Sequence, residues 1–196
     1  MGRHDTLVAE GGLASVARPD GWATSWDANG VTVIRAELAD VLEAAQLFAA
    51  YREFYGAPYD VSAAGAFLAS RIVRDESIVL LGLDDDEVVG FAQIYPSFSS
   101  TRLSRIWVLN DLYVVEHARG TGAVDELLNT VASMAAAAGA DAVELSTAHT
   151  NTRAQAVYER HGYRLDEEYR SYEKSVATLR FVWEGQVDER SRRGIE

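Results

Sequence analysis

The sequence predicts a single α/β domain, on three observations. Strand-period and helix-period segments follow one another in the order β-α-α-β-β-β-α-β-α-β-β. A hairpin signal lies near the centre: Ser77 to Leu83 (SIVLLGL), the turn Asp84-Asp85-Asp86, then Val88 to Tyr95 (VVGFAQIY). A glycine-rich turn, Arg119-Gly120-Thr121-Gly122-Ala123-Val124, joins a strand-like run ending at Val114 and Val115 to a long apolar-periodic helix. At 196 residues the chain can bury one sizeable core. Residues 1–30 show no sustained period and read as an N-terminal tail or arm, and 177–196 as a C-terminal tail, leaving 31–176 as the domain. Trp22, Trp26, Phe181 and Trp183 suggest that each end docks locally.

Each element has its own signal. Val31 to Glu37 alternates as a strand does, and Ala39 to Tyr51 sets Val41, Leu42, Ala45, Phe48 and Ala49 at helical spacing. Val61 to Val73 repeats the helical pattern with Ala64, Phe67, Leu68 and Ile72. After the hairpin, Pro96 closes or bends its second strand, and Leu103 to Val115 is a long strand-like run. The helix over 122–138 carries Val124, Leu127, Leu128, Val131 and Met134 on one stripe. Ala142 to Thr147 reads as a short strand and 152–161 as a short helix. Tyr163 to Leu165 with Tyr169 to Val176 reads as a final hairpin.

Composition excludes several functions. With no cysteine, neither a disulfide framework nor a thiolate nucleophile is available. The net charge of −12 disfavours a nucleic-acid groove and modestly favours a cationic substrate. No apolar run reaches the roughly 18 residues of a membrane span and the start lacks signal-peptide form, so no membrane partner and a cytoplasmic location are expected. His4, His117, His149 and His161 lack metal-ligand spacing, and the run Asp84-Asp85-Asp86 reads as a solvated turn, so no metal is expected.

The glycine-rich turn is suited to an anion. Backbone N–H groups at a helix start have no intrahelical partner, and the positive end of the helix dipole points the same way. Alone, the pattern fits a plain strand-to-helix connection equally well.

Its surroundings resemble the GCN5-related N-acetyltransferase (GNAT) family over about Val31 to Val176, in four segments. The family's acyl-CoA loop reads Arg or Gln, two residues, Gly or Ala, one residue, Gly or Ala, which here is Arg119, Gly120-Thr121, Gly122, Ala123, Val124. Ahead of it, Val108-Leu109-Asn110-Asp111-Leu112-Tyr113-Val114 is similar to the family's fourth strand. Downstream, Asn151 followed by Ala156-Val157-Tyr158-Glu159-Arg160-His161-Gly162-Tyr163 matches its Asn…A-x-x-x-Y-x-x-x-G-[FY] signature. Finally, Gly90-Phe91-Ala92-Gln93-Ile94-Tyr95-Pro96, with Phe54-Tyr55-Gly56, resembles the branch of diamine, spermidine/spermine and thialysine acetyltransferases.

The resemblance implies a mixed, mostly antiparallel sheet with helices on both faces, whose fourth and fifth strands splay apart. The co-substrate is then acetyl-CoA: backbone groups of Leu112, Tyr113 and Val114 bind its pantetheine arm as an added strand, and Arg119 to Val124 wrap its pyrophosphate. Asn151 bonds the pantetheine amides, a role that coexists with capping the helix behind it. Tyr158 is the catalytic acid for the departing sulfur. The acceptor is a primary amine on a small molecule of polyamine, amino-acid or amino-metabolite type, flanked by Tyr95, Phe98, Trp107, Asn110 and Asp111. Without cysteine, transfer is by direct attack in a ternary complex. Homodimers are common in the family.

Three departures qualify this. Asn110 stands where relatives often have a carboxylate, and an amide accepts no proton, so the base is Asp111 acting through water, His149, or solvent alone. Val124 replaces a small loop residue, and Asp125 puts an acid beside the pyrophosphate. A degenerate GNAT fold that binds CoA or a protein without catalysis, or an enzyme using another acyl-CoA, therefore stays open.

Overall fold

The computed structural model describes residues 25–26 and 30–174. Strands β1 (Ser25–Trp26), β2 (Val31–Arg35), β3 (Ile78–Asp84), β4 (Glu87–Ser99), β5 (Ser104–Val114) and β6 (Ala140–Leu145) alternate with helices α1 (Val41–Phe54), α2 (Val61–Val73), α3 (Ala123–Ala137) and α4 (Thr152–Arg160). All belong to one compact unit that ends at Tyr163. The sheet runs β1-β2-β3-β4-β5-β6 in sequence order. Neighbours are antiparallel from β1 to β5, and β5 and β6 are parallel. The predicted fourth and fifth strands are therefore β5 and β6. Within the predicted N-terminal arm, Ser25 and Trp26 pair with Val33 and Thr32, so the arm supplies a two-residue edge strand. Both tails otherwise lie outside the described residues.

Side-chain alternation along the strands divides the core between two faces. On one, Ala44, Ala45 and Phe48 of α1 and Leu68 of α2 cover Ile34, Val79, Leu81 and Phe91. The Phe48 and Phe91 rings stack there with centroids 5.5 Å apart. On the other, Leu127, Leu128, Val131 and Ala135 of α3 cover Val33, Leu80, Ala92 and Ile94. The helical stripe over 122–138 thus faces the sheet as its period requires.

A β-bulge decides what β5 presents to each face. Ile94 pairs with Leu109 and Gln93 with Asp111, so Asn110 is the extra residue. An extra residue reverses the parity of everything after it. Trp107 and Leu109 pack under α3 before the bulge, and Leu112 and Val114 do so after it. Asp111 and Tyr113 are turned toward the α1 face. Pairing between β5 and β6 stops at the same place, with Leu109 opposite Leu145. From Asn110 to Val114 the β6 side of β5 has no strand partner among the described residues, which is the splay.

Two expectations change. β4 does not close at Pro96 but continues to Ser99, with Pro96 opposite Trp107. Pairing with β3 ends at Ile94, so beyond that point β4 has one edge unpaired among the described residues, where a residue without an N–H costs no ladder bond. The predicted final hairpin is absent: residues 163–174 hold no strand, and 175–176 lie outside the described residues. Asp166 Oδ1 accepts from the amides of Glu168 (2.9 Å) and Tyr169 (3.1 Å), a local turn that takes the donors a ladder would use.

Gly90 faces Gly82 across the ladder, and the Leu127 side chain fills the space above them. A methyl group on Gly90 would sit 2.8 Å from Leu127 Cδ1, a contact with no room to relax because Leu127 is fully buried. Gly90→Ala is expected to cost about 1–3 kcal/mol through overpacking, read by urea denaturation. Combined with Leu127→Ala, whose own cost is about 2–5 kcal/mol, it should give less than the sum, since the new methyl then enters the vacated space.

Candidate active site

The free edge of β5 forms one wall of a cavity of about 540 Å³. Tyr51, Phe54 and Tyr55 at the C-terminal end of α1 form a second wall, the Arg119–Gly120 turn with the start of α3 a third, and α4 the fourth. The cavity exists because β5 parts from β6 while α4, entering after β6, stays alongside.

The turn has the backbone that its sequence asks for. Gly120 and Gly122 take φ of 92° and 103°, a region where only glycine is unstrained. Nothing lies within 4 Å of where a Gly120 Cβ would be, so the backbone itself is open to the cavity. α2 and α4 are capped by side chains, Asp60 to the Ala63 amide and Asn151 to the Ala154 amide, but α3 starts at Gly122 with no side-chain cap. Its first amides therefore keep their capacity for an anion at the cavity wall.

Of the residues assigned to acyl-CoA, Leu112, Tyr113 and Val114 line the cavity from β5, Arg119, Gly120 and Val124 from the turn, and Asn151 and Tyr158 from α4. Thr121, Gly122 and Ala123 do not. The Thr121 hydroxyl donates to the Ala118 carbonyl at 2.9 Å, Gly122 is the helix N-cap, and the Ala123 side chain is buried against Val31, Val89 and Ala118. Asn151 caps α4, its Oδ1 accepting from Ala154 N at 3.2 Å, while also facing the cavity.

The acceptor group is only partly assembled. Trp107 is 4% exposed in the core under α3, on the face opposite Asp111, because the bulge lies between them. Phe98 is exposed near the far end of β4, with the Arg105 guanidinium 5.2 Å from its ring centroid. Neither lines the cavity. Asn110 is exposed and donates to Asp111 Oδ2 at 3.1 Å, which makes it a partner of the carboxylate rather than a substitute for it. His149, on the exposed loop after β6, is also outside the lining.

Asp111 is 6% exposed. Burial lifts its carboxyl above the ordinary value, while hydrogen bonds from Asn110 and Tyr51 pull the other way. The same carboxylate raises the Tyr51 and Tyr95 hydroxyls, in each case after burial itself. Asp111 and Tyr95 do not border the cavity, but Tyr51 does. Tyr51 thus borders the cavity and also interacts with the buried carboxylate. In the sequence Tyr51 stands only at the end of a helical pattern; its one signal is the i, i+4 spacing to Tyr55, whose ring it meets edge-on at 5.0 Å.

Tyr158 is pushed up to about 12 by burial, helped by the neighbouring Tyr55 and Tyr163 hydroxyls. It stays protonated at neutral pH and is a donor.

Asp125 does not stand alone beside the glycine turn. Its Oδ1 accepts from Arg160 Nη2 at 2.5 Å and from His161 Nε2 at 2.6 Å. Burial works to raise its carboxyl, but these two bonds and the adjacent charges outweigh it and hold the group below its ordinary value.

A sheet with this bulge and splay, a glycine turn at an uncapped helix and a tyrosine facing the gap define an acyl-CoA-dependent transferase. The family model described as Acetyltransferase (GNAT) family matches residues 44–163. An uncharacterized N-acetyltransferase of Bacillus subtilis, YhfO, is 41% identical over 136 residues, 69% of this chain and 91% of that protein. The crystal structure of a probable acetyltransferase superposes with a TM-score of 0.70 at 40% identity, covering 74% of this chain and 98% of the other. The D-amino-acid N-acetyltransferase HPA3 of Saccharomyces cerevisiae is 36% identical over 80 residues, 41% of this chain and 50% of that protein. The chain belongs to the GNAT acetyltransferase family, whose enzymes use acetyl-CoA as co-substrate, and it is an N-acetyltransferase.

Removing the α4 cap tests how the site is held. Asn151→Ala should cost about 1 kcal/mol in denaturant unfolding, whereas Asn151→Asp, which keeps an acceptor at the cap, should retain most of that stability.

Proposed function

We propose that the protein transfers the acetyl group of acetyl-CoA to a primary amine of a small molecule, by direct attack within a ternary complex. The observation that carries this reading is a single cavity onto which a phosphate-type turn, an unpaired strand edge and Tyr158 all open. Acetyl-CoA supplies an activated acyl group. The residues supply its alignment along β5, a proton for the departing sulfur from Tyr158, and a sink for the proton of the amine.

Asp111 is that sink, reached through Tyr51. As the Tyr51 oxygen takes a proton from the ammonium, its own proton passes to the Asp111 carboxylate, leaving neutral amine, neutral tyrosine and protonated aspartic acid. A carboxylate lifted by burial accepts a proton more readily than one in water. The Tyr51, Phe54 and Tyr55 rings at the α1 end suit a cationic group before its proton is lost. A compact amine of polyamine or amino-acid type fits this chemistry, and the relative named as a D-amino-acid N-acetyltransferase supports the second class.

Tyr158→Phe should lower kcat by about 10²–10⁴ and leave the acetyl-CoA Kd nearly unchanged. Unaltered turnover would remove Tyr158 from the mechanism. Because Asp111 must be ionised to accept a proton, kcat/KM should fall as pH drops through a pKa above the ordinary carboxylate range, and this limb should disappear in Asp111→Asn. Tyr51→Phe should depress kcat in the same direction with the fold intact by circular dichroism. A limb that persists in Asp111→Asn would assign the base to solvent.

A further inference from the structure

We infer that Arg160, held by Asp125 and His161, is a phosphate-binding residue for the pyrophosphate of CoA, and that Asp125 acts as its positioning residue rather than as a repulsive charge. This rests on the acyl-CoA reading of the cavity.

Within a chain of net charge −12, three arginines, Arg119, Arg153 and Arg160, border this one cavity. Arg119 and Gly120 mark the phosphate turn, and Arg160 reaches it from the last turn of α4, 35 residues further along from Asp125 in sequence. Its Nη2 is fixed on Asp125 Oδ1, and a guanidinium has further N–H donors in the same plane with which to meet a phosphate. The carboxylate is itself fixed: His161 Nε2 donates to the same oxygen, and the His161 side chain is 14% exposed. His161 is the C-cap of α4, its amide bonded to the carbonyls of Val157 and Tyr158, so its ring is anchored to the helix end.

The charge balance then differs from what Asp125 alone suggests. An acid in the first turn of α3 opposes a bound anion, but the Asp125–Arg160 pair is neutral and directs a charged fork at the cavity. The His161 ring shares the same carboxylate oxygen, and Arg119 adds its charge at the turn. Arg160 is half exposed, as a residue that meets a ligand must be, whereas His161 behind it is mostly covered.

Isothermal calorimetry with CoA, 3′-dephospho-CoA and phosphate-free pantetheine, the last followed by NMR titration, tests the assignment without relying on turnover. Arg160→Met should weaken CoA about tenfold or more, weaken 3′-dephospho-CoA equally, and leave pantetheine within about twofold. Asp125→Asn, which changes almost no volume and serves also if the methionine variant does not fold, should weaken CoA as well, and the double variant should bind no worse than Arg160→Met. Tighter binding of CoA by Asp125→Asn would mean that the carboxylate repels the ligand, and would overturn the inference. So would an equal loss of pantetheine affinity, which marks a structural role, or a loss confined to the 3′-phosphorylated form. A wild-type chain that binds no CoA would overturn the inference and the acyl-CoA reading together. One that binds CoA through Arg160 but acetylates no amine would overturn the amine reading alone.

Discussion

The bulge at Asn110 is the constraint on which the site depends. One extra residue in β5, placed where pairing with β6 ends, has two effects. It frees the backbone from Asn110 to Val114 along one edge, and it reverses which side chains face which layer. Trp107 and Leu109 stay with the apolar layer under α3, while Asp111 turns toward α1, where Tyr51 meets it. Without the bulge the carboxylate would enter the apolar layer under α3, at a desolvation cost that a lone carboxylate cannot bear. The same displacement therefore opens a groove and moves an acid toward it.

Around that groove the helices act as fixed platforms. α1 ends in aromatic residues, and because its preceding turns, with Ala44, Ala45 and Phe48, are packed on the sheet, that last turn is held at the cavity. α4 is held at both ends by side chains: Asn151 caps its start, and His161 and Arg160 tie its end to Asp125 on α3. Tyr158 lies between these ties. A short helix with no fully buried residue would fray readily by itself, and the ties replace what core packing does for α1 and α3.

The site separates its titratable groups by environment. Tyr158 is kept protonated by burial, and Asp111, also buried, becomes a better proton acceptor than a surface carboxylate. Asp125, bonded to a guanidinium and an imidazole, goes the other way and stays ionised. Two aspartates of one chain thus differ in character because one exchanges hydration for an amide and a phenol, and the other for a guanidinium and an imidazole.

Local pattern was enough for most of the fold. The periods of α1, α2 and α3, the β3–β4 hairpin and the glycine turn are each written within a few consecutive residues, and each forms close to where it was expected. The final hairpin failed because Asp166 offers its neighbours' amides a nearer acceptor, and β4 outran Pro96 because only the neighbouring strand's length shows that the missing N–H costs nothing there. Of the cavity lining, sequence by itself picked out the residues whose spacing is local: Arg119, Gly120 and Val124 at the turn, and Asn151 and Tyr158 at α4. What only the tertiary structure decided was everything that depends on parity or on distant pairing. Trp107 and Asp111 are four positions apart and belong to different faces. Tyr51 becomes a site residue by meeting an aspartate sixty positions away. Asp125 is read as a repulsive charge until Arg160 and His161 are seen to hold it. A sequence records which groups are present, and the register of one bulged strand and the meeting of two helix ends settle which of them touch.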